Sequence, residues 1–489
     1  MKKILWSISS GLVFFCCSLL LSLLFTPYIL KHISRADYAI FYLLNNIVVW
    51  LGLLRAGQNG GFRYQLSFSI HKKKYISILY STLIVFYGVL AFVFLIVGVL
   101  LYDVIVTWLV IIPSRQEELL PMYIILLINL AISGVSFLFS NILSVYNREY
   151  MVNMIRLVLL IIQMLFTLFL LHFNYTLLAM ALPLVLNSFL FLIVSVFLLS
   201  RTSFKPDFSV QLFSFKILKK SLAIGKWFML GFLAQLFIKH TDVILIGKMI
   251  DLSYVTRFLI STKLYLIAFT ITQLIIRIVN PHLIKLYNRD AIEYSNWAAL
   301  YLKLVVGAAV LMAVVISAGN EYFVSQWVGK EYFIGSEVNS LLGLALVAQV
   351  INAVIRSIIL AKTELKKIKF NELLEGIINL ALSISLGVFW GVKGIVCATS
   401  LASLFILLTW LFKSIKPVIG IERPAYWKRQ ALFFVLFCCT QISGLFFFKH
   451  MLFDVWKYLA LVVLSVIVFI LFYYRDLHRL LKERTNFFL

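Results

Sequence analysis

The sequence predicts an all-α protein that crosses a membrane about fourteen times, a number set by how many apolar runs are long enough to span hydrocarbon. Three observations lead there. Hydrophobic residues make up 63% of the chain and charged residues only 13%, about half the charged share of an ordinary soluble protein. Runs of roughly twenty apolar residues, enough to cross ~30 Å of hydrocarbon, recur from end to end, and mean hydropathy is +1.01. No stretch alternates apolar and polar residues as the strands of a barrel do.

Taken in order, the spans fall at residues 8–30, 38–54, 78–101, 119–143, 150–171, 174–199, 227–249, 254–280, 298–318, 338–361, 370–389, 391–412, 430–448 and 455–474. The first could pass for a secretory signal, but its apolar part outruns a signal core and no small-residue cleavage site follows, so it reads as an uncleaved helix. The segment 103–113, "DVIVTWLVIIP", is too short to cross and suits the interface. All five cysteines (Cys16, Cys17, Cys397, Cys438, Cys439) fall inside helices without disulfide or zinc spacing, and read as small buried hydrophobes.

Most of the 44 lysines and arginines lie at the two ends and after even-numbered spans, while acidic residues split evenly between the two sides. The positive-inside rule then puts both termini in the cytoplasm. It also accounts for the formal charge of +24, which is spread over many cytoplasmic segments and suits membrane lipid rather than nucleic acid.

Residues 1–200 form a first six-helix bundle, 201–226 a cytoplasmic linker and 227–413 a second six-helix bundle. Residues 414–489 add two helices and a basic cytoplasmic tail. A weak internal repeat supports the pairing: Thr26 to Leu44 lies without gaps on Asp242 to Ile260, matching Tyr38 with Tyr254 and Leu43 with Leu259. The offset relates span 1 to span 7, so the two bundles share one orientation, as parallel repeats do.

The chemistry sits inside the spans. "LFIKHTDVILIG" places Lys239, His240 and Asp242 among Leu, Ile, Phe and Val. At a helix centre Lys and Asp together cost roughly 5–7 kcal/mol, about what the eleven Leu, Ile, Phe and Val of this span return. Such charges must face protein or water. Gln235, Lys239 and Asp242, at i, i+4 and i+7, fall on one helical face. In the next span Thr256, Lys263, Thr270 and Arg277 recur every seventh residue, with Lys263 at nearly the depth of Lys239. Two cations at one level call for an anion, either Asp242 or a ligand; a structural Lys239–Asp242 pair is the competing account. His240, about 100° round the helix, suits a hydrogen bond to a neighbouring helix or a proton-carrying role. Arg156 and Lys303 lie near enough to the cytoplasmic surface to snorkel.

Further on, Gln349, Asn352 and Arg356 form one stripe and Glu372, Glu375 and Asn379 another, with Arg356 and Glu375 at matching depth as expected partners. Asn129, Ser133, Ser136 and Ser140 share a face that either lines a cavity or packs helices together. No phosphate-binding Gly loop, HExxH, nucleophile elbow or large outer loop is evident, so the reading is a non-enzyme without metal or cofactor.

"TPYILKHISRADYAIFYLLNN" followed by "LGLLRAGQNGGFRYQLS", then "DVILIGKMIDLSYVTRFLIS", "VNPHLIKLYN", "FVSQWVGKEY" and "GVKGIVCATSLASL", stand in an order that resembles the bacterial polysaccharide-unit flippases of the MOP (MATE-like) superfamily. The resemblance covers roughly residues 1–415. It implies two bundles around a cationic cavity that takes the diphosphate of an undecaprenyl-linked oligosaccharide (an O-antigen, capsule or exopolysaccharide repeat) across the bacterial inner membrane. It implies a polysaccharide polymerase and a chain-length regulator as partners. Lys239, Lys263, Arg277 and Arg55 would hold the diphosphate; Asp242, Glu375 and His240 would couple an ion; Gln235, Thr270, Gln349, Asn352 and Arg356 would line the cavity. Span 1 has no cation between Lys3 and Lys31, where some lipid-linked precursor flippases place one. A drug or cation antiporter of the same architecture is the alternative, disfavoured by the excess of basic over acidic groups inside the spans. A glycan polymerase is the weaker one.

Overall fold

The structure is a computed structural model. It describes residues 2–69, 72–109, 116–146, 148–201, 206–361 and 365–411, together with 414–415 and the single positions 463, 467 and 470. Among them no strand occurs. The helices are α1 (Lys2–His32), α2 (Arg35–Leu51), α3 (Leu53–Phe68), α4 (Lys73–Leu100), α5 (Tyr102–Trp108), α6 (Gln116–Val145), α7 (Glu149–His172), α8 (Leu178–Ser200), α9 (Phe215–Gln235), α10 (Thr241–Met249), α11 (Leu252–Ser261), α12 (Lys263–Arg289), α13 (Ala291–Trp327), α14 (Ser336–Leu360) and α15 (Leu365–Ile406). Ten helical stretches among the described residues are long and apolar enough to cross a membrane, and the chain is a multi-pass membrane protein.

The first twelve expected spans all fall on helix: 227–249 runs through α9, a widened turn and α10, 254–280 is divided between α11 and α12, and two are the arms of α15, which breaks at Gly391 (φ 57°, ψ −137°). That left-handed backbone is open to glycine at little cost. The expected span at 430–448 lies outside the described residues, and of that at 455–474 only 463, 467 and 470 are described, each as helix. Of the short segment expected at 103–113, residues 103–108 belong to α5, and 110–113 lie outside the described residues.

The chain packs into two compact units, Met1–Thr256 and Arg257–Leu489. In the first, α6 packs on α4 and α8, α7 on α1 and α8, and α3 on α9. Its core gathers Phe62 and Leu66 of α3, Leu79 and Leu83 of α4, and Leu138 and Ile142 of α6. In the second, α14 packs on α12, α13 and α15.

Two elements depart from the sequence reading. The sequence places no helix between 54 and 78, because "RAGQNGGFRYQ" offers no apolar run, yet α3, Leu53–Phe68, occupies that segment. Its glycines explain the gain: a Cβ on Gly57 would stand 2.7 Å from Met229 Cβ, and one on Gly61 3.0 Å from the Gly225 nitrogen, so α3 and α9 meet backbone to backbone. Small residues at this spacing promote such approach in membranes. The helix expected from 227 begins at Phe215, with the Ser214 hydroxyl accepting from Ile217 N at 3.4 Å. Lysines at 216, 219, 220 and 226 hide this turn from a hydropathy count.

The segment before α9 is strapped along α4. Asp207 N donates to Ser77 Oγ at 3.0 Å, Ser209 N to Ser81 Oγ at 3.2 Å and Ser214 N to Thr82 Oγ1 at 3.1 Å. Hydroxyls thus satisfy backbone donors that no helix pairs.

Candidate functional site

Between α9 and α10 the helix widens into a π turn, Leu236–His240, at the charged motif. Thr241 Oγ1 donates to the Leu236 carbonyl at 3.1 Å, supplying a partner inside the widened turn. Such turns change the phase of a helix and concentrate at functional sites. Here the one-face expectation gives way: Lys239 is exposed, Gln235 half-buried and Asp242 buried at 7%. His240 Nδ1 pairs with Asn46 Oδ1 of α2, and Asn46 Nδ2 donates to the Tyr42 carbonyl at 2.7 Å. The histidine therefore bonds to a neighbouring helix, one of its two expected roles.

Arg55 sits in the first turn of α3 and turns to α6, donating to the Leu130 carbonyl at 2.9 Å and to Ser133 Oγ at 2.5 Å. The polar stripe of α6 packs helices and lines a cavity at once. Ser188 Oγ donates to Asn129 Oδ1 at 2.6 Å and Ser136 Oγ reaches the Ser188 carbonyl at 3.3 Å, while Ser133 and Ser136 also face a cavity of about 320 Å³ inside the first unit. Arg156 lines that cavity, a placement the sequence reading missed by assigning it to the membrane surface.

In the second unit the expected heptad spacing is interrupted, because the helix breaks between α11 and α12 at Thr262. Asn320 Nδ2 donates to the Ser261 carbonyl at 2.9 Å and Thr262 Oγ1 to Phe258 O at 2.7 Å, so carbonyls near the break find donors. Lys263 opens α12 half-buried, whereas Thr270 and Arg277 are exposed. Thr256 lies in the first unit, fully buried, and donates to the Arg35 carbonyl at 2.8 Å.

Arg356 and Glu375 meet as expected, through Arg356 NH2 and Glu375 Oε2. Glu375 Oε1 accepts from Asn352 Nδ2 at 3.1 Å and from Ser403 Oγ at 2.6 Å, and Asn352 also reaches the Ser403 carbonyl at 3.0 Å. The carboxylate is 2% exposed, so its charge is met by one cation and two further donors, as a buried ion requires. Gln349, a turn earlier on α14, is half-buried. Ser403 escaped the sequence reading; its signal was the small polar run Thr399, Ser400, Ser403 on the second arm of α15.

The family model described as "Polysaccharide biosynthesis protein" matches residues 66–333. No curated protein matches by sequence. Among solved structures, the fold is similar to that of lipid II flippase MurJ in its inward closed conformation, with TM-score 0.77 and 16% identity over 97% of this chain and 99% of that one. It is also similar to a MOP superfamily transporter from Pyrococcus furiosus with a binding pocket of reversed polarity (TM-score 0.60, 15% identity, 85% and 96% of the two chains). A variant of the Vibrio cholerae MATE transporter VcmN shares the fold as well (TM-score 0.59, 13% identity, 87% and 98%). The fold is MATE-like.

Proposed function

The chain belongs to the polysaccharide biosynthesis protein family, and from that premise we propose that it is a flippase rather than an enzyme. It moves an undecaprenyl-diphosphate-linked oligosaccharide, the repeat of an O-antigen, capsule or exopolysaccharide, from the cytoplasmic to the outer leaflet of the bacterial inner membrane. Movement is by alternating access and is driven by an ion gradient; both termini face the cytoplasm. A polysaccharide polymerase and a chain-length regulator act on the product.

The observation that carries this reading is Lys239: an exposed cation within a helical stretch long and apolar enough to cross the membrane, Phe215–Met249. A cation there is expensive against lipid, and an anionic headgroup offsets the expense. Arg55 in the first unit, and Lys263 and Arg277 in the second, add positive charge for a diphosphate. Asp242, a buried carboxylate just past the π turn, is the proposed point of ion coupling; Glu375 and His240, the other candidates, already bond to Arg356 and Asn46. Gln235, Thr270, Gln349 and Asn352 supply polar contacts. The drug-antiporter reading draws support only from the shared fold, and a cationic drug would meet an excess of like charge.

The test is the sidedness of the lipid-linked glycan in intact spheroplasts, probed with a membrane-impermeant oxidant or lectin. Cells lacking the protein should accumulate a shielded inner-leaflet repeat, and wild-type protein should restore exposure. Normal exposure without the protein would overturn the reading.

A further inference from the structure

We propose that the first unit holds a pocket for one acidic sugar of the transported glycan, with Arg156 reading the sugar's carboxylate. This rests on the flippase reading and adds to it a substrate class and a specificity-determining residue.

The cavity at Arg156 is built by four helices of one unit: Phe14 of α1, Ser133 and Phe137 of α6, Arg156 of α7, and Asn187 and Phe191 of α8. Its ≈ 320 Å³ equals the liquid volume of roughly ten waters. That is room for a single sugar ring with its substituents, and far too little for an oligosaccharide on its lipid.

The guanidinium carbon of Arg156 lies 5.4 Å from the Phe191 ring centre and 5.9 Å from that of Phe137. Two aromatic faces thus hold the cation inside the protein. Among the described residues it donates no hydrogen bond and has no carboxylate at ion-pair distance; Glu149, about two turns earlier on α7, is near enough for its charge to act on Arg156 but pairs with Arg63 at 3.6 Å. The guanidinium lines the cavity, and its planar fork of donors has the shape that matches a carboxylate in bidentate fashion.

The remaining walls choose among oxyanions. A diphosphate brings at least two charges and no apolar surface, yet this cavity offers one cation and three phenyl rings. A uronic-type sugar brings one charge, a C–H face that lies against aromatic rings, and hydroxyls that need amide and hydroxyl partners. Asn187 gives one N–H to Gln163 Oε1 at 2.8 Å and keeps its carbonyl and second N–H for a ligand. Ser133, which accepts from Arg55, lines the same wall.

The experiment is isothermal titration of the full-length protein in lipid nanodiscs with three probes: methyl β-D-glucuronide, methyl β-D-glucoside and inorganic pyrophosphate. The glucuronide should bind at least tenfold more tightly than the other two. Arg156→Gln should lose that preference, and Arg156→Lys, which keeps the charge without the fork, should retain part of it. Equal binding of glucuronide and glucoside by the wild type overturns the proposal without recourse to any variant. So does pyrophosphate binding that equals or exceeds that of the glucuronide, which would mark a phosphate site. Mass spectrometry of the shielded repeat that accumulates in cells lacking the protein gives an independent reading. An acidic sugar in it supports the proposal, and a wholly neutral repeat defeats the proposal while leaving the flippase reading intact. Failure of the flippase reading is separate: no shielded repeat accumulates at all.

Discussion

Ser403 donates its hydroxyl to Glu375 Oε1 at 2.6 Å across the break at Gly391, so one carboxylate joins both arms of α15 to α14 through Arg356 and Asn352. Removing one member of a buried ion pair strands the other. Glu375→Ala should therefore lower stability by about 3–5 kcal/mol, and the Arg356→Met/Glu375→Leu pair should cost less than Glu375→Ala alone. Reversible SDS unfolding of the purified protein measures both; a double variant worse than the single would show that the pair does more than neutralise itself.

Ser403→Ala leaves the carboxylate with its cation but takes away a hydrogen bond to a charged group, worth about 1.5–3 kcal/mol. The same unfolding assay should place it between wild type and Glu375→Ala. A neutral Ser403→Ala would mean that the two arms are held together by apolar packing.

The meeting of α3 and α9 should be intolerant of added volume. The three atoms nearest to where a Cβ on Gly61 would be are backbone atoms of α9, at 3.0–3.1 Å, and backbone cannot turn aside as a side chain can. Gly61→Val should destabilise by about 1–3 kcal/mol through overpacking. Gly88, with nothing within 4 Å of its added Cβ, serves as the control: Gly88→Ala should match or exceed wild-type stability, since alanine is the better helix former.

Lys239 is exposed, so its replacement should act on transport and not on folding. Lys239→Ala should leave stability within about 0.5 kcal/mol and cut the rate of glycan exposure in spheroplasts at least tenfold, while Lys239→Arg keeps most of it. Wild-type exposure in Lys239→Ala would remove this residue from the diphosphate site.

Asp242 should separate movement from its driving force. In vesicles containing labelled lipid-linked glycan, Asp242→Asn should equilibrate the two leaflets without responding to an imposed proton or sodium gradient. A gradient response equal to that of the wild type would sink the coupling role.

What the sequence showed and what it hid follow from range. Apolar runs are local, so twelve spans were legible, and the pairing of Arg356 with Glu375 followed from two stripes at one depth. The π turn at Leu236–His240 was not legible, because it depends on how neighbouring helices pack, and it moved Asp242 away from Lys239 in exposure. Helix α3 was hidden because its stability comes from close approach to α9 and not from hydropathy. Arg156 was misread for a similar reason. Its distance from the helix end suited a surface cation, and only the tertiary placement of Phe137 and Phe191 drew it inward.

The strap along α4 bears on how the protein is made. Ser77, Ser81 and Thr82 find their partners some 130 residues later in the chain, at Asp207, Ser209 and Ser214, and the glycine face of α3 waits longer still for α9. Contacts of such sequence separation form late, so during synthesis all of α1–α8 can be made before the first unit closes. A fragment ending at residue 200 should leave these groups bare and be degraded or held by chaperones. One ending at residue 256 carries its own closure and should accumulate in the membrane.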